Sequence, residues 1–378
     1  TEVIDEYTVK FTTSEPFGAM IATFAHPAGG IVSPLAAKQG DQVLEFGKAP
    51  VGTGPFKFVE WVPGDHLTVE KFADYWNPER AGKVDRFVIK PVPEAGTRIS
   101  MLQAGDAQFI NQVPYPQVEL LKGSADASIV ENEAIYTYWV AMNTQKEPFT
   151  DKRVRQALNY AVDKQAIIDS VLAGYGQMID SPLAPRVWGY KSVKTYEYDP
   201  EKAKALLAEA GVTSFKTTMW TSDATDAKQV AVAIQGQLAE VGVEVEVVNM
   251  EAATLSAERF KPMEENQSML NFAGWSPSTG DADWGLRPLL ASESIPPASF
   301  NLAFWNNPDF DAQIKAGLAT ADEAVRKEAY AKAQEIVMEE APWIFLWRTT
   351  VLGGISNKVA DMWIQPDGIG YYRKGYIK

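Results

Sequence analysis

The chain has 378 residues, no cysteine, and 49 acidic against 35 basic residues, a formal charge of −14. That length points to two domains, and the missing cysteines exclude disulfides, thiolate catalysis, zinc–thiolate sites and iron–sulfur clusters. An acidic chain without a Lys/Arg cluster excludes a nucleic-acid reader and argues against docking on anionic lipid.

In chain order, Tyr7, Val9 and Phe11 alternate with polar residues, which predicts a half-buried strand. A loose Gly/Pro/Ala region follows. In VGTGPFKFVEWVPGDHLTVEKFADYW, Gly52, Gly54 and Pro55 make a turn, Phe56, Phe58 and Trp61 open a strand, and PGD at 63–65 reads as a hairpin before Leu67 and Val69. From Val84 the pattern becomes αβ. DRFVIKPV is a strand, EAGTRISMLQAG a helix closed by Gly105, AQFI a strand and PYPQVELLKG a helix. AIYTYWVAMN, Ala134 to Asn143, is a long aromatic strand that could run between domains. In it Tyr136 and Tyr138 share one face and Trp139 the other, one face seeing core and the other a cleft.

Thr150 to Gly174 reads as one amphipathic helix, capped by Thr150 or Asp151 and ended by Gly174. Asp199 to Gly211 carries an Asp cap, a Pro in the first turn and a closing Gly. FKTTMW, a helix over Lys228–Val241, VEVEVV, a helix near Ala252–Phe260 and SMLNFAGW then alternate, the pattern of a parallel sheet. Helices over Asp309–Ala319 and Asp322–Glu340 lead into APWIFLW, Ala341–Trp347, which reads as a buried strand. No apolar run approaches the roughly 20 residues that span a bilayer. Thr1 is not a natural start, so an upstream segment is expected to have been removed.

Enzymatic signatures are weak. His26 and His66 fall in turn-like contexts, GxSxG and the phosphate-binding GxxxxGK[ST] loop are absent, and Asp281 with Asp283 lacks the remaining acids of a calcium loop. No cofactor or metal is expected. A peptidase using the acid pair with a metal and an inert scaffold remain the rival classes. GWSPSTGDADWGLRPLL, Gly274 to Leu290, follows a strand's carboxyl end, where open α/β sheets bind ligands. Trp275 and Trp284 could close over a guest. Ser278 and Thr279 could give neutral hydrogen bonds, with Ser276 a further hydroxyl of the candidate set, Asp281 or Asp283 could hold an ammonium, and Arg287 a carboxylate. The same residues also suit a plain structural role, with both indoles in a core and Arg287 paired to an acid.

VGTGPFKFVEW, MNTQKEPFTDKRVRQALNYAVDKQAII, YDPEKAKALLAEAG and EAPWIFLW resemble, in order, the family 5 extracellular solute-binding proteins of ABC importers for peptides, glutathione and nickel chelates. The Trp275–Trp284 run is similar to that of the glutathione-binding branch. In the peptide branches an Asp three residues after this Trp takes the ligand's amino group; Ser278 stands there. The dipeptide receptors place an Arg after the strand matching FKTTMW; the loop Thr221–Gln229 has none.

The resemblance implies an α/β, two-lobed periplasmic-binding-protein clamshell of type II with part of the first lobe missing. Residues 1–142 would be the rest of that lobe, with a remnant of an extra subdomain over 1–50. Residues 143–342 would be the second lobe and 343–378 a return to the first, with hinges near Ala134–Asn143 and Trp343–Trp347. The text matches the family only from well inside the first lobe, so a trimmed chain is expected. The implied function is a non-enzymatic, monomeric receptor, periplasmic or membrane-anchored outside the cell. It would deliver glutathione or a related small peptide to an ABC permease by cleft closure; the alternative is a general dipeptide or oligopeptide receptor. Tyr136, Tyr138, Trp220, Thr221 and Ser222 join the residues of the Trp275–Arg287 run as the expected ligand set.

Overall fold

Six strands carry the αβ part of the chain: β1 (Ala127–Met142), β2 (Gly176–Met178), β3 (Phe215–Ser222), β4 (Val243–Met250), β5 (Leu270–Trp275) and β6 (Trp343–Ser356). The computed structural model describes residues 1–33, 36 and 47–378. Part of the expected loose region, and of the expected remnant over 1–50, falls on 34–35 and 37–46 and lies outside the described residues. The chain divides into two compact units, one of Thr1–His26 and Ile135–Thr349, the other of Pro27–Ala134 and Thr350–Lys378. Two of the passages between units fall inside β1 and β6.

In the larger unit the strands lie in the order β4-β3-β5-β1-β6, with β2 on β6. β4 and β5 both run parallel to β3, as the alternating pattern from 215 to 275 predicts. β1 runs antiparallel to β5, from Leu270↔Met142 to Trp275↔Thr137, so the sheet is mixed. The β3–β5 ladder is short. It holds only Leu270↔Met219 and Asn271↔Trp220, and beyond them β5 continues without β3 beside it.

The helix expected over 150–174 is two helices, α1 (Lys152–Ala161) and α2 (Lys164–Val171). Val162 is extended, and the Asp163 carboxylate accepts the Ala166 N–H, which starts a new helix. A short polar side chain that captures its own backbone in this way favours a cap over a helix interior. Asp151 caps α1. α3 (Pro200–Glu209) follows its Asp199 cap and first-turn Pro as expected. α4 (Thr225–Ala239) and α5 (Ala252–Arg259) cross between the parallel strands. α6 (Ala282–Leu290), α7 (Pro308–Leu318) and α8 (Glu323–Glu340) follow, and the unit also holds an exposed hairpin of Glu2–Asp5 with Thr8–Lys10 and a short helix, Met20–Ala25. One core gathers Leu286 and Leu290 of α6, Phe310 and Ile314 of α7, and Tyr330 and Val337 of α8 against Trp139 and Trp343. Each such side chain contributes roughly 1.5–3 kcal/mol on leaving water.

The smaller unit has an antiparallel sheet of Phe56–Val62, His66–Lys71 and Arg86–Ile89, whose first hairpin turns at Gly64, φ +79°. Helices Ala95–Ala104 and Val118–Lys122 bury Ile99, Leu102, Val118 and Leu121. Among the described residues no helix is long and apolar enough to cross a membrane.

Candidate functional site

Because β1 is antiparallel to β5, its Tyr136–Tyr138 stretch comes back beside Gly274 and Trp275, at the same sheet edge where β3 ends in Thr221 and Ser222. Alternate residues of a strand face opposite ways. Trp139 turns to the core and stacks on Trp343, ring centroids 4.1 Å apart. Tyr136 and Tyr138 therefore take the other face. Their rings lie 4.7 Å apart, Tyr138 stacks on Phe272 at 5.7 Å, and both tyrosines stay partly exposed. Gly274 makes room for them. A Cβ there would stand 2.4 Å from Tyr136 Cε1 and 2.9 Å from Tyr138 Cδ1, so any larger residue must displace the pair.

After Trp275 the chain turns sharply. Gly280, at φ +72°, donates its N–H to Pro277 O at 2.7 Å, and Asp281 N–H reaches Thr279 Oγ1 at 3.3 Å. Trp188 holds the loop on both sides, donating to Gly280 O at 2.8 Å and accepting from Ala282 N–H at 2.9 Å. The second half of the run, which its turn formers make look irregular, is α6. Asp281 caps it by accepting the Asp283 N–H at 3.0 Å, and Pro288 sits in its last turn.

The charges of this run are engaged within the unit. Asp281 receives Arg326 Nη2 on both oxygens at 2.9 Å, with both side chains buried. Asp283 accepts Nε and Nη2 of Arg287, both at 2.8 Å, a bidentate pair one helical turn apart. Burial raises the Asp281 carboxyl, against the pull of the Asp283 N–H and Arg326. The Asp283 carboxylate raises Arg287.

Trp275 donates its indole N–H to Trp284 O at 2.8 Å, and its ring lies 5.9 Å from that of Trp284 and 4.9 Å from Phe300. Both indoles are half-buried, and Trp275 also packs against the core. Ser276 Oγ is buried with no protein partner, as is Thr221 Oγ1. Trp220 is buried, while Ser222, Ser278 and Thr279 are partly exposed.

Arg259 is the residue the sequence reading missed. It ends α5 beside the same edge, where its Nε donates to Asn271 Oδ1 at 3.2 Å and its Nη2 to Phe272 O. Burial lowers its pKa to about 10, opposed by Tyr136, whose own phenol burial raises. A signal was present: Leu255 and Ser256, four and three residues before it on the same helix, supply no acid.

Residues 1–296 match the family model of bacterial extracellular solute-binding proteins, family 5, middle. The glutathione-binding protein GsiB of Pectobacterium atrosepticum is 40% identical over 372 residues, 97% of this chain and 71% of the relative. GsiB of Escherichia coli is 39% identical over 370 residues, 97% and 72% of the two chains. HbpA2 of Haemophilus parasuis matches with a TM-score of 0.85 at 29% identity, covering 100% of this chain and 75% of that one. Helicobacter pylori DppA, an ABC transporter-associated periplasmic binding protein in complex with the peptide STSA, matches with 0.84 at 30% identity, covering 100% and 73%. The α/β fold is thus that of the type II periplasmic binding proteins. The order of its motifs, the mixed sheet and a family model that spans most of its length agree, and the chain belongs to the bacterial extracellular solute-binding proteins of family 5.

Proposed function

We propose that this chain is a non-catalytic receptor that binds glutathione or a related small peptide outside the cytoplasm and delivers it to the permease of an ABC importer. One observation carries the reading. A chain 40% identical over 97% of its length to a protein named for binding glutathione presents GWSPSTGDADW at a sheet's carboxyl edge, beside two partly exposed tyrosines.

Tyr136, Tyr138, Trp275 and Trp284 supply rigid aromatic area with few torsions to freeze. Ser276, Ser278 and Thr279, with Thr221 and Ser222 at the end of β3 and Trp220 beneath them, supply neutral hydrogen bonds. Asp281, Asp283 and Arg287 complete the set by fixing the loop through their ion pairs, and any contact they make with a ligand's charged ends must compete with those pairs. Binding shifts the receptor toward the conformer with the higher ligand affinity, by an amount bounded by the affinity difference. The turning points are β1 and β6, in which the chain passes from unit to unit. The receptor works as a monomer in the periplasm or anchored at the outer face of the membrane, and the ATP is hydrolysed in the importer.

The second reading, a general dipeptide or oligopeptide receptor, is favoured by the likeness to DppA with its bound peptide. Titration calorimetry of the purified protein with glutathione and a panel of dipeptides and tripeptides separates the two. Saturable binding of glutathione in preference to the panel is the expected result. Tight binding of ordinary dipeptides with none of glutathione would replace the first reading by the second.

A further inference from the structure

Besides Arg348, half-buried and bonded to Gln177, four arginines of the larger unit lie wholly or partly inside it. Arg155 and Arg326 are buried, and Arg287 and Arg259 keep only part of their surface exposed. The first three each hold a carboxylate: Arg155 that of Glu340 at 3.3 Å, Arg326 that of Asp281 at 2.9 Å, Arg287 that of Asp283 at 2.8 Å. Arg259 does not. Among the described residues no carboxylate lies within ion-pair distance of it, and its protein partners are a neutral amide oxygen and a backbone carbonyl. Its neighbour Glu258 is engaged with Lys261 at 2.6 Å. A guanidinium largely removed from water without a counter-charge is costly, and a bound anion is the simplest compensation.

Its position follows from the sheet. The β3–β5 ladder stops at Asn271, which frees the Phe272 carbonyl along that edge of β5, and Arg259 occupies the gap. Asn271 gives its oxygen to Arg259, while its Nδ2, although the residue is only 1% exposed, has no protein partner. Two donors without a protein acceptor of full charge thus meet at one place, next to the Tyr136 phenol and the Tyr136–Tyr138 ring pair. The acids and the arginine of the 281–287 run satisfy one another or Arg326, so they leave no free cation in that run for a ligand's carboxylate.

Resting on the receptor reading above, we propose that Arg259, supported by Asn271, is the anchor for a carboxylate of the bound peptide-class ligand, with Tyr136 and Tyr138 flanking the ligand's backbone. The planar fork of a guanidinium matches a carboxylate in bidentate geometry. Charge-assisted hydrogen bonds of this kind make the carboxylate worth on the order of ten- to hundred-fold in affinity.

The test is a cycle over protein and ligand by titration calorimetry. Wild type, Arg259→Gln and Arg259→Lys are titrated with glutathione, with its glycine amide, and with the amide of its γ-glutamyl α-carboxyl. Wild type is expected to lose about ten-fold or more for the one amide that removes the anchored carboxylate. Arg259→Gln should lose the same factor on glutathione, lose nothing further on that amide, and be partly restored as Lys. Equal losses of Arg259→Gln on all three ligands, or none on any, with an unchanged melting temperature, overturn the anchor and leave the receptor reading standing. If Arg259→Gln does not fold, the wild-type comparison of acid and amides still decides, since equal affinity for all three excludes a carboxylate anchor. If wild type ignores glutathione, the glutathione reading fails on its own, and the same cycle runs with Ala-Phe and Ala-Phe amide. No binding of any of these compounds overturns both.

Discussion

Lys164 shows how far a single residue departs from what its letter suggests. It stands second in a capped helix start and reads as a surface lysine, yet it is 3% exposed, and its Nζ donates to the backbone carbonyls of Asn159 and Tyr196. Burial lowers its pKa to about 7. The unfolded chain, with an ordinary lysine, therefore binds one more proton than the fold between about pH 7 and 10. Stability should rise with pH through that window, by a few kcal/mol, and the slope should vanish below pH 7, where both states are charged. Urea unfolding of wild type and Lys164→Met at pH 6, 7, 8 and 9.5 measures it. The variant should be less stable at every pH, because two buried carbonyls lose their donor, but its profile should lack the rise. Parallel profiles would show that the amine stays charged. The sequence could not reveal this, since the two carbonyls come from the end of α1 and from Tyr196, brought to one point by packing alone. Arg259 carried a partial signal in the lack of an acid at helical spacing, but its place beside Asn271 and the Phe272 carbonyl is likewise set by packing.

Elements with strong local punctuation were legible. Asp199–Pro200, with Gly211 beyond, fixed both ends of α3, and the alternation of strands and helices from 215 to 275 gave β3, β4 and β5 with their direction. Two elements were not. Val162–Asp163 divides one periodic stretch into α1 and α2, because a cap competes with helix continuation at a position where the apolar spacing does not change. α6 was masked by Gly285 and Pro288, residues that read as loop formers, although its Asp281 cap and its Asp283–Arg287 spacing were present. That cap has a consequence at the scale of the element. The Asp281 carboxylate both starts α6 and neutralises the buried Arg326 of α8, so Asp281→Ala removes a cap worth about 1 kcal/mol and leaves a buried charge unpaired, at about 3–5 kcal/mol. Adding Arg326→Met should recover much of the second loss. Denaturant unfolding of the two single variants and the double variant checks it. A cost below about 1 kcal/mol for Asp281→Ala would mean that the pair is solvated and that α6 is held by its apolar face alone.

At the scale of the whole chain, an acidic surface promotes solubility without choosing a partner, and the informative feature is that two units each bury a core of their own. The long aromatic strand stood out in the sequence because it lacks turn signals over Ala134–Asn143. Its passage between units is not a property of any residue pattern, since it depends on which neighbours the two ends of β1 find. Two units with separate cores need not melt in a single all-or-none transition, so scanning calorimetry should give a calorimetric enthalpy above the van't Hoff value. A receptor also couples its stability to its ligand. Free glutathione at a hundred times its dissociation constant adds about 2.7 kcal/mol to whatever part of the chain binds it. The portion of the thermal profile that moves with glutathione therefore identifies the unit, or units, carrying the contacts, and Arg259→Gln should reduce that movement. Equal enthalpies, together with a profile that no concentration of glutathione displaces, would contradict the independent cores and the glutathione receptor at once. A displaced profile with equal enthalpies would retain the receptor and tie the two cores into one cooperative body.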